Sequence, residues 1–300
     1  MNQSVQIAVV PSTIPSKRHK MIKIFADTTS TISVSEADQL GIYYLPQLIV
    51  FGDKSYRDDV ELSTDQFLEK LRKSTSLPKT AAPPPALYTP LFEDVAKNGN
   101  SAIVIAPSSK VSGTYRSAIV AAQDFPNADI RVIDSELIGP GLGTIIRLAV
   151  DWIKNGVTIE QIEQRIKEYA SRSTIYLYVD TLEYLHKGGR IGTAKALVGS
   201  VLQIKPILLF KDGQINPFES QRTKKRAIAR IIELVEQECP PTDDSHLSIL
   251  EADAMDDANQ LKSSLSSSLG IKDIEICALP PAIIVHAGPG IIAASFFKKS

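Results

Sequence analysis

The chain has 300 residues, of which 43% are hydrophobic and 22% are charged. This composition is typical of a globular protein long enough for one large domain or two moderate ones, and a formal net charge of -1 excludes a global attraction to nucleic acid or to a membrane surface. Because Cys239, Cys277 and the four histidines have no metal-ligand spacing, the sequence argues against a disulfide framework and a metal site and favours a reducing cytoplasm.

Two segments resemble targeting or membrane sequences without fitting either. Residues 1–20 are predicted to form an N-terminal extension, because their apolar run precedes a basic cluster, the reverse of a secretory signal. Residues 279–297 carry no formal charge and are nearly long enough to span a bilayer. Since prolines and glycines interrupt them, we predict a buried strand, a tight turn and a short buried helix there.

From residue 21 to 172, short apolar runs alternate with longer amphipathic segments, which is the pattern of βαβ units around a parallel sheet. Strands are predicted at 22–26, 44–51, 102–106 and 130–134. Helices are predicted at 35–40, 64–73, 85–98, 113–124, 141–155 and 158–172, several of them preceded by serine or threonine caps. We therefore predict an α/β domain over residues 21–172.

The second half has fewer helices and is predicted to form a smaller C-terminal α+β domain over residues 173–300. Its predicted strands are 174–179, 204–210, 247–250, 274–278 and 283–286. Its predicted helices are 181–186, 194–201, 223–238 and 255–269.

Hydroxyl groups are concentrated where the predicted strand 102–106 leads into a helix. Ser108, Ser109, Ser112 and Thr114 lie there within seven residues, and Gly113 allows a close approach to the backbone. In open parallel sheets, ligands bind outside the carboxyl ends of the strands. The N-terminus of a helix also favours a bound anion. N-capping alone needs only one hydroxyl, so the pattern favours an anion site.

The other loops do not match a known catalytic or nucleotide-binding motif. The sequence contains neither of the phosphate-binding patterns G-x-x-x-x-G-K-[ST] and G-x-G-x-x-G, which argues against nucleotide binding. A serine-dependent acyl hydrolase that uses Ser112 and His286 is an alternative, although the sequence has no G-x-S-x-G motif.

Nine motifs, in order, resemble those of the DegV family of bacterial fatty-acid-binding proteins, whose members include the acyl-binding subunits of fatty acid kinases. The resemblance extends from Met21 to the C-terminus. Its motifs are Ala26-Asp-Thr-Thr29, Tyr56-Arg-Asp58 before Leu62-Ser-Thr-Asp65, Ser108-Ser-Lys-Val-Ser-Gly-Thr-Tyr115, Ile133-Asp-Ser135 with Gly141 and Gly143, Asp180-Thr-Leu-Glu-Tyr-Leu185 with Gly188-Gly-Arg-Ile-Gly192, Lys205-Pro-Ile-Leu208, Asp212-Gly213, Arg222-Thr-Lys-Lys225 and His286-x-Gly-Pro-Gly290.

The resemblance implies an N-terminal Rossmann-like domain with a parallel sheet, a smaller C-terminal α+β domain, and a ligand between the two. That ligand is one long-chain fatty acid, such as palmitate, stearate or oleate, in a buried apolar tunnel. Ser112, Thr80 and His286 are expected to bind its carboxylate. Thr28, Gly113, Arg190 and Gly288 are expected to support the site, and no catalytic residue, metal or cofactor is expected.

The chain departs from the family pattern beside Thr80. The family reads Thr-Ser-x-Pro-Ser there, whereas this chain has Ala81, Ala82 and Pro84. A second departure is Glu251, at a position where relatives often have histidine.

The resemblance also implies a non-catalytic, cytoplasmic carrier that presents the carboxylate to a fatty acid kinase for acyl phosphate formation. Arg222, Arg226 and Arg230 recur at every fourth residue of a predicted helix and are candidates for docking to that kinase or, transiently, to a membrane surface. No nucleic acid partner is expected. Besides the hydrolase, a lipid-responsive regulatory binding protein is a further alternative.

Overall fold

The computed structural model describes residues 21–197 and 204–299. Its strands are β1 (Ile22–Asp27), β2 (Tyr43–Leu45), β3 (Leu48–Phe51), β4 (Lys54–Arg57), β5 (Lys79–Ala81), β6 (Ser101–Ala106), β7 (Asp129–Asp134), β8 (Ser173–Tyr178), β9 (Lys205–Lys211), β10 (Gln214–Gln221), β11 (Ser248–Ala252), β12 (Glu275–Ala278) and β13 (Ile291–Phe297). Its helices are α1 (Val34–Leu40), α2 (Thr64–Lys73), α3 (Pro85–Lys97), α4 (Thr114–Ala122), α5 (Gly139–Lys154), α6 (Ile159–Arg172), α7 (Glu183–Lys187), α8 (Lys224–Glu238), α9 (Met255–Leu269) and α10 (Pro281–Ala287). The predicted extension 1–20 lies outside the described residues.

The first half forms a four-stranded parallel sheet in the order β2-β1-β6-β7. All six residues of β6 are buried, as expected for a central strand of a parallel sheet that is covered on both faces. The apolar sides of α5 and α6 pack on one face, and those of α3 and α4 pack on the other. The predicted α/β fold with a parallel sheet is confirmed.

The second half forms a separate six-stranded sheet in the order β10-β9-β8-β13-β11-β12. Every neighbouring pair is antiparallel except β11 and β12, which are parallel. One face packs against α8 and α9. The other face packs against α2, α7 and α10 and forms the largest apolar core of the described residues.

A small antiparallel sheet, in the order β4-β3-β5, joins the two halves. In this sheet Thr80 pairs with Ile49, and the buried side chain of Ile49 lies in the same core as the mixed sheet. Residues 48–81 therefore follow the first strands in sequence but pack against the second half. The division at residue 172 stays a prediction.

The prediction of one strand over residues 44–51 is wrong. The segment is split between β2, in the parallel sheet, and β3, in the small sheet. The break falls at Pro46 and Gln47, because proline has no N–H for a strand ladder. The N–H of Gln47 is directed instead to the side chains of Asp58 and Thr28.

The predicted order of elements in residues 279–297 is also wrong. Residues 283–286, predicted as a strand, lie in α10, and the strand is β13, which follows the turn. Pro281 favours a helix start, because its missing N–H would have no partner there. Gly288, at φ +78°, ends the helix.

Strands β4, β5, β10 and β13 were not predicted, because they are short, polar on one side or embedded in a continuous apolar run. The predicted helix 194–201 overlaps a 3₁₀ turn at Gly192–Leu197, and residues 198–201 lie outside the described residues. Arg222 precedes α8 and its N-cap, Thr223. The four-residue spacing of arginines on one helix therefore holds only for Arg226 and Arg230.

Candidate functional site

A cavity lies where the carboxyl edge of the parallel sheet meets the mixed sheet. Its volume is about 120 Å³. Most of its wall is apolar, contributed by the mixed sheet and α10. Its polar side chains are Thr29, Gln47, Thr80, Ser112, Arg190 and His286.

The apolar wall follows one row of residues across the mixed sheet. Ala293 of β13 is paired with Leu177 on one side and with Leu250 on the other, and all three line the cavity. The alanine side chain is shorter than the leucine side chains on either side of it. The face of the sheet that lines the cavity is therefore recessed at Ala293. Opposite, Gly139 brings its α-carbon so close that an added Cβ would lie 3.2 Å from Leu250 Cδ2.

The loop before α4 contributes Ser112 and Gly113 to the cavity lining. The Oγ of Ser112 lies 3.1 Å from the Oγ1 of Thr114 and accepts a hydrogen bond from the backbone N–H of Thr114. The other two hydroxyls of this loop are placed elsewhere: Ser108 donates to the carbonyl of Gly213, and Ser109 is exposed. Ser112 is therefore the serine of this loop that lines the cavity.

Thr80 and His286 meet across the cavity from distant parts of the chain. The Oγ1 of Thr80 lies 2.8 Å from the Nε2 of His286. Burial, with a smaller contribution from the positive charge of Arg190, lowers the pKa of His286 to about 4. The ring is thus neutral at pH 7, and its Nδ1 has no hydrogen-bond partner among the described residues.

Glycine at position 188 leaves room for the imidazole of His286. A Cβ at Gly188 would overlap Nδ1 of this ring and would lie 2.8 Å from the carbonyl oxygen of Tyr184. The ring therefore packs against a bare backbone. Gly288, which is buried, likewise leaves room for the ring of Tyr184, 2.5 Å from where a Cβ would be.

Arg190 connects two loops of the site. Its Nε donates to the carbonyl of Val111 at 3.1 Å, and its NH1 donates to the carbonyl of Gly188 at 2.7 Å. The guanidinium is half-buried and lines the cavity. It places a positive charge beside the hydroxyl and imidazole groups.

Behind the polar lining lies a buried network that the sequence analysis missed. Asp27, at the end of β1, is fully buried and accepts hydrogen bonds from Thr29, Gln47 and Thr114. Asp58 accepts from the hydroxyl of Thr28 and from the N–H of Gln47.

The two carboxyl groups of this network resist ionisation. Burial raises the pKa of Asp27, although its hydrogen bonds act in the opposite direction. Burial also raises the pKa of Asp58 to about 7, and the negative charge of Asp27 contributes to that rise. The hydrogen bonds that these two carboxylates accept come from neutral groups.

Thr28, predicted to support the ligand, does not line the cavity; its hydroxyl is directed to Asp58. Its neighbour Thr29 does line the cavity. The motif Ala26-Asp-Thr-Thr29 at the end of β1 is recognisable in the sequence, but nothing in it indicates which of the two threonines lines the cavity. Asp58 belongs to a family motif and Gln47 to none, and no local pattern indicates their hydrogen bonds, because their partners lie at least 11 residues away along the chain.

The residues that depart from the family pattern lie at the rim of the site. Ala82 lines the cavity, and a Cβ on Gly113 would lie 3.3 Å from the Cβ of Ala82. Ala81 and Pro84 are exposed. Glu251 is buried in β11 and accepts from the backbone N–H of Ala254 at 3.0 Å, which explains how a carboxylate is accommodated there.

The geometry does not match a Ser-His-Asp triad. In such a triad one imidazole nitrogen contacts the serine and the other contacts a carboxylate. In this chain Nε2 of His286 contacts Thr80, and Nδ1 has no partner among the described residues. Within residues 21–197 and 204–299, no group of three potential metal ligands is assembled.

The two arginines predicted to dock a partner lie on the surface. Arg222 and Arg226 are both exposed. Arg230, by contrast, forms ion pairs with Glu219 and Glu233. In the part of the chain that is described, no helix is long and apolar enough to cross a membrane.

Comparisons with known proteins agree on one family. A family model described as "Uncharacterised protein, DegV family" matches residues 21–299. A DegV domain-containing protein of Halalkalibacterium halodurans is 34% identical over 277 residues, covering 92% of this chain and 98% of the relative. The crystal structure of DegV, a fatty acid binding protein from Bacillus subtilis, is 31% identical, with a TM-score of 0.82 and coverage of 93% of this chain and 100% of that one. A fatty acid binding DegV family protein from Streptococcus agalactiae is 27% identical, with a TM-score of 0.85 and coverage of 94% and 100%.

Proposed function

Because this chain belongs to the DegV family, we propose that it binds one long-chain fatty acid in the cavity between its two main sheets. The observation that carries the proposal is the composition of the cavity wall. Apolar side chains of the mixed sheet and α10 share one cavity with Ser112, Thr80 and His286. A molecule with a long apolar tail and a small polar head fits this combination. The structures of relatives described as fatty acid binding support the same ligand class.

The tail supplies most of the binding free energy in this proposal. Burial of one methylene contributes about 0.8 kcal/mol, so a chain of about fifteen carbons gains on the order of 10 kcal/mol before the costs of association. The headgroup contacts then fix orientation more than affinity.

Hydroxyl donors bind the carboxylate in this proposal. An ionised carboxylate only accepts hydrogen bonds, so Ser112 and Thr80 must each direct a hydrogen towards it. With a neutral His286 donating from Nε2 to the oxygen of Thr80, the hydroxyl hydrogen of Thr80 is free to reach the ligand. Arg190 adds a positive charge nearby, while Gly113, Thr28 and Gly288 shape the surrounding loops.

We also propose that the chain acts as a non-catalytic carrier in the cytoplasm and that a separate fatty acid kinase phosphorylates the bound carboxylate. The family resemblance supports this role, and the two cysteines, which are buried and free, fit a reducing compartment. Arg222 and Arg226 supply exposed positive charge for docking to that kinase or, during loading, to an anionic membrane surface.

Mass spectrometry of the co-purified lipid tests the ligand. Protein purified from bacteria and then denatured should release about one equivalent of fatty acid. Release of no fatty acid, together with failure of lipid-free protein to bind added oleate, would reject the proposal.

A serine substitution tests the headgroup assignment. Ser112→Ala should reduce acyl phosphate formation by a fatty acid kinase more than it reduces lipid content, because the tail contacts are unchanged. Ser109→Ala is the matched control, since Ser109 belongs to the same loop but is exposed and does not line the cavity. Equal loss of lipid content and acyl phosphate formation in Ser112→Ala would contradict the assignment.

A further inference from the structure

The buried carboxylate of Asp27 is surrounded by hydrogen-bond donors on both of its oxygens. Oδ1 accepts from the backbone N–H and the hydroxyl of Thr29, at 3.0 and 2.5 Å. Oδ2 accepts from Nε2 of Gln47 at 2.6 Å and from the hydroxyl of Thr114 at 2.5 Å. In the ionised form of Asp27, four neutral donors satisfy a carboxylate that has no contact with solvent, and these hydrogen bonds oppose the rise in its pKa that burial causes.

These bonds determine the direction of the hydroxyl hydrogens that lead to the cavity. A hydroxyl has one hydrogen, and Thr114 directs its hydrogen to Asp27. The oxygen of Thr114 therefore accepts hydrogen bonds, one of them from Nε2 of Gln47 at 2.9 Å. The Oγ of Ser112 lies 3.1 Å from the Oγ1 of Thr114, so this arrangement favours donation from Ser112 to Thr114. A bound carboxylate needs the same hydrogen.

Protonation of Asp27 reverses this direction. A protonated Asp27 donates to the oxygen of Thr114, whose own hydrogen is then free to turn to Ser112. Ser112 in turn directs its hydrogen into the cavity. The relay Asp27, Thr114, Ser112 thus has two orientations, and only the protonated one presents a donor to an anion without competition.

We propose that Asp27 is a positioning residue for Ser112, acting through Thr114, and that Asp27 takes up one proton when a carboxylate binds at Ser112. This inference rests on the proposed fatty acid binding and adds to it the protonation state of the complex.

The proton transfer balances without any additional reactant. When the ligand arrives as the neutral acid, its O–H bond breaks as an O–H bond forms on Ser112. The former hydrogen of Ser112 passes to Thr114, and that of Thr114 passes to Oδ2 of Asp27. The products are a bound carboxylate and a neutral Asp27. Relative to the ionised fatty acid in solvent, the complex has gained one proton.

The charges around Asp27 favour this uptake. Three titratable groups from different elements interact with it electrostatically, and none of the three is a cation: Asp58 after β4, Tyr44 in β2 and Tyr88 in α3. Arg190 and His286 line the cavity that receives the ligand, and His286 is neutral at pH 7 because burial lowers its pKa to about 4. A second carboxylate that arrives two hydrogen bonds away makes the ionised form of Asp27 still less favourable.

Calorimetric titration of lipid-free protein with laurate tests the inference. Titrations at one pH in buffers of different ionisation enthalpy give the number of protons taken up. At a pH between the pKa of Asp27 in the free protein and its pKa in the complex, the wild-type protein should take up about one proton per laurate, and its affinity should fall about tenfold per pH unit across this range.

Asp27→Asn should abolish both effects, because the asparagine amide donates to Thr114 permanently and cannot titrate. Its affinity for laurate should not change with pH. Asp58→Asn is the comparison variant: it removes the other buried carboxyl group, which has no hydrogen bond to Thr114, and should retain the uptake. Loss of uptake in Asp58→Asn with retention in Asp27→Asn would assign the proton to Asp58 and overturn the inference.

Two further outcomes separate this inference from the proposed function. Wild-type binding of laurate without proton uptake would overturn the inference alone, whereas no binding would reject the fatty acid function as well. If Asp27→Asn does not fold, Thr114→Val provides a second test, since it removes the hydroxyl between Asp27 and Ser112 and keeps the shape. Its proton uptake should be less than about half that of the wild type; full uptake would contradict the relay.

Discussion

The hydroxyl side chains that line the cavity are short, and their neighbours determine which hydrogens are available to a ligand. The hydroxyl of Thr80 contacts the imidazole of His286. The hydroxyl of Ser112 contacts that of Thr114, which is hydrogen-bonded to the carboxylate of Asp27. Because the hydroxyl groups of serine and threonine can either donate or accept, their roles depend on these partners. The chemistry of the site therefore depends on residues that a ligand does not touch.

Substitution of Gly188 tests the placement of the imidazole. Gly188→Ala should displace His286 from Thr80 and reduce the fatty acid content of purified protein, because the new Cβ would overlap Nδ1 of the ring. Overpacking of this kind costs about 1–3 kcal/mol of unfolding free energy. Lipid content by mass spectrometry and urea denaturation measure the two effects.

Gly189→Ala is the control for this substitution. Gly189 has φ +70° and no atom within 4 Å of an added Cβ, so alanine should cost about 1 kcal/mol of stability through backbone strain. Lipid content should stay at the wild-type level. Equal lipid loss in both variants would show that the loop, not the imidazole, is responsible.

Asp58 should make the stability of the lipid-free protein depend on pH. Its pKa rises from 3.8 to about 7 on folding, so its stabilising contribution is fully present below pH 3.8 and is lost as the pH rises through 7. The unfolding free energy should fall by about 1.4 kcal/mol per pH unit across this window. Asp58→Asn should flatten the profile measured by urea denaturation, and Asp53→Asn, at an exposed position of the neighbouring turn, should not. An unchanged profile in Asp58→Asn would contradict the assignment.

At the level of elements, the small sheet decides where Thr80 lies. Strand β5 has only three residues and pairs with β3 alone, so its position depends on how β3 is anchored. Ile49 of β3 is fully buried in the core of the mixed sheet and is the register partner of Thr80. The α2 helix packs into the same core and is stabilised by the capping box of Ser63 and Gln66.

Truncation of Ile49 should therefore affect both stability and ligand binding. Ile49→Ala should cost about 2–5 kcal/mol of unfolding free energy and lower the retention of fatty acid, because Thr80 loses its anchored partner. Ile103→Ala is the matched control: Ile103 is equally buried, but in the parallel sheet. It should lose similar stability and retain the ligand. Urea denaturation and lipid content distinguish these outcomes, and equal lipid loss in both variants would contradict the anchoring role.

At the level of the whole molecule, the cavity is built by both halves of the chain. The parallel sheet contributes the loops of Thr29 and Ser112, and the mixed sheet contributes the apolar row that contains Ala293. A ligand in this position contacts both halves. Its binding free energy is thus added to the stability of the complete fold rather than to one part of it.

Removal of the lipid should lower the melting temperature. At a free ligand concentration about a thousand times the dissociation constant, the ligand contributes about 4 kcal/mol. For a chain of this size, that corresponds to a rise of several degrees. Calorimetry of lipid-free protein with and without oleate measures it, and acetate, which has the headgroup without the tail, is the control and should shift the melting temperature by less than about one degree. Equal shifts with both ligands would contradict a site that binds mainly through the tail.

Elements with a local signal follow from the order of the amino acids alone. Apolar runs and helical periodicity predicted β1, β6 and β7 and the long helices, because burial on one or both faces imposes a fixed period on the chain. The family motifs placed Ser112, Thr80 and His286 as candidates, and the structure brings all three to one cavity.

Which polar residues act together depends on how the distant segments of the chain pack. Asp27, Gln47, Asp58 and Thr114 come from four separate segments, and each forms an ordinary pattern in its own segment, so their hydrogen bonds follow from packing alone. The conformation of residues 283–286 is likewise not determined by their local sequence. A short buried apolar run has no period that separates strand from helix, and the helix there depends on Pro281 at its start and Gly288 at its end.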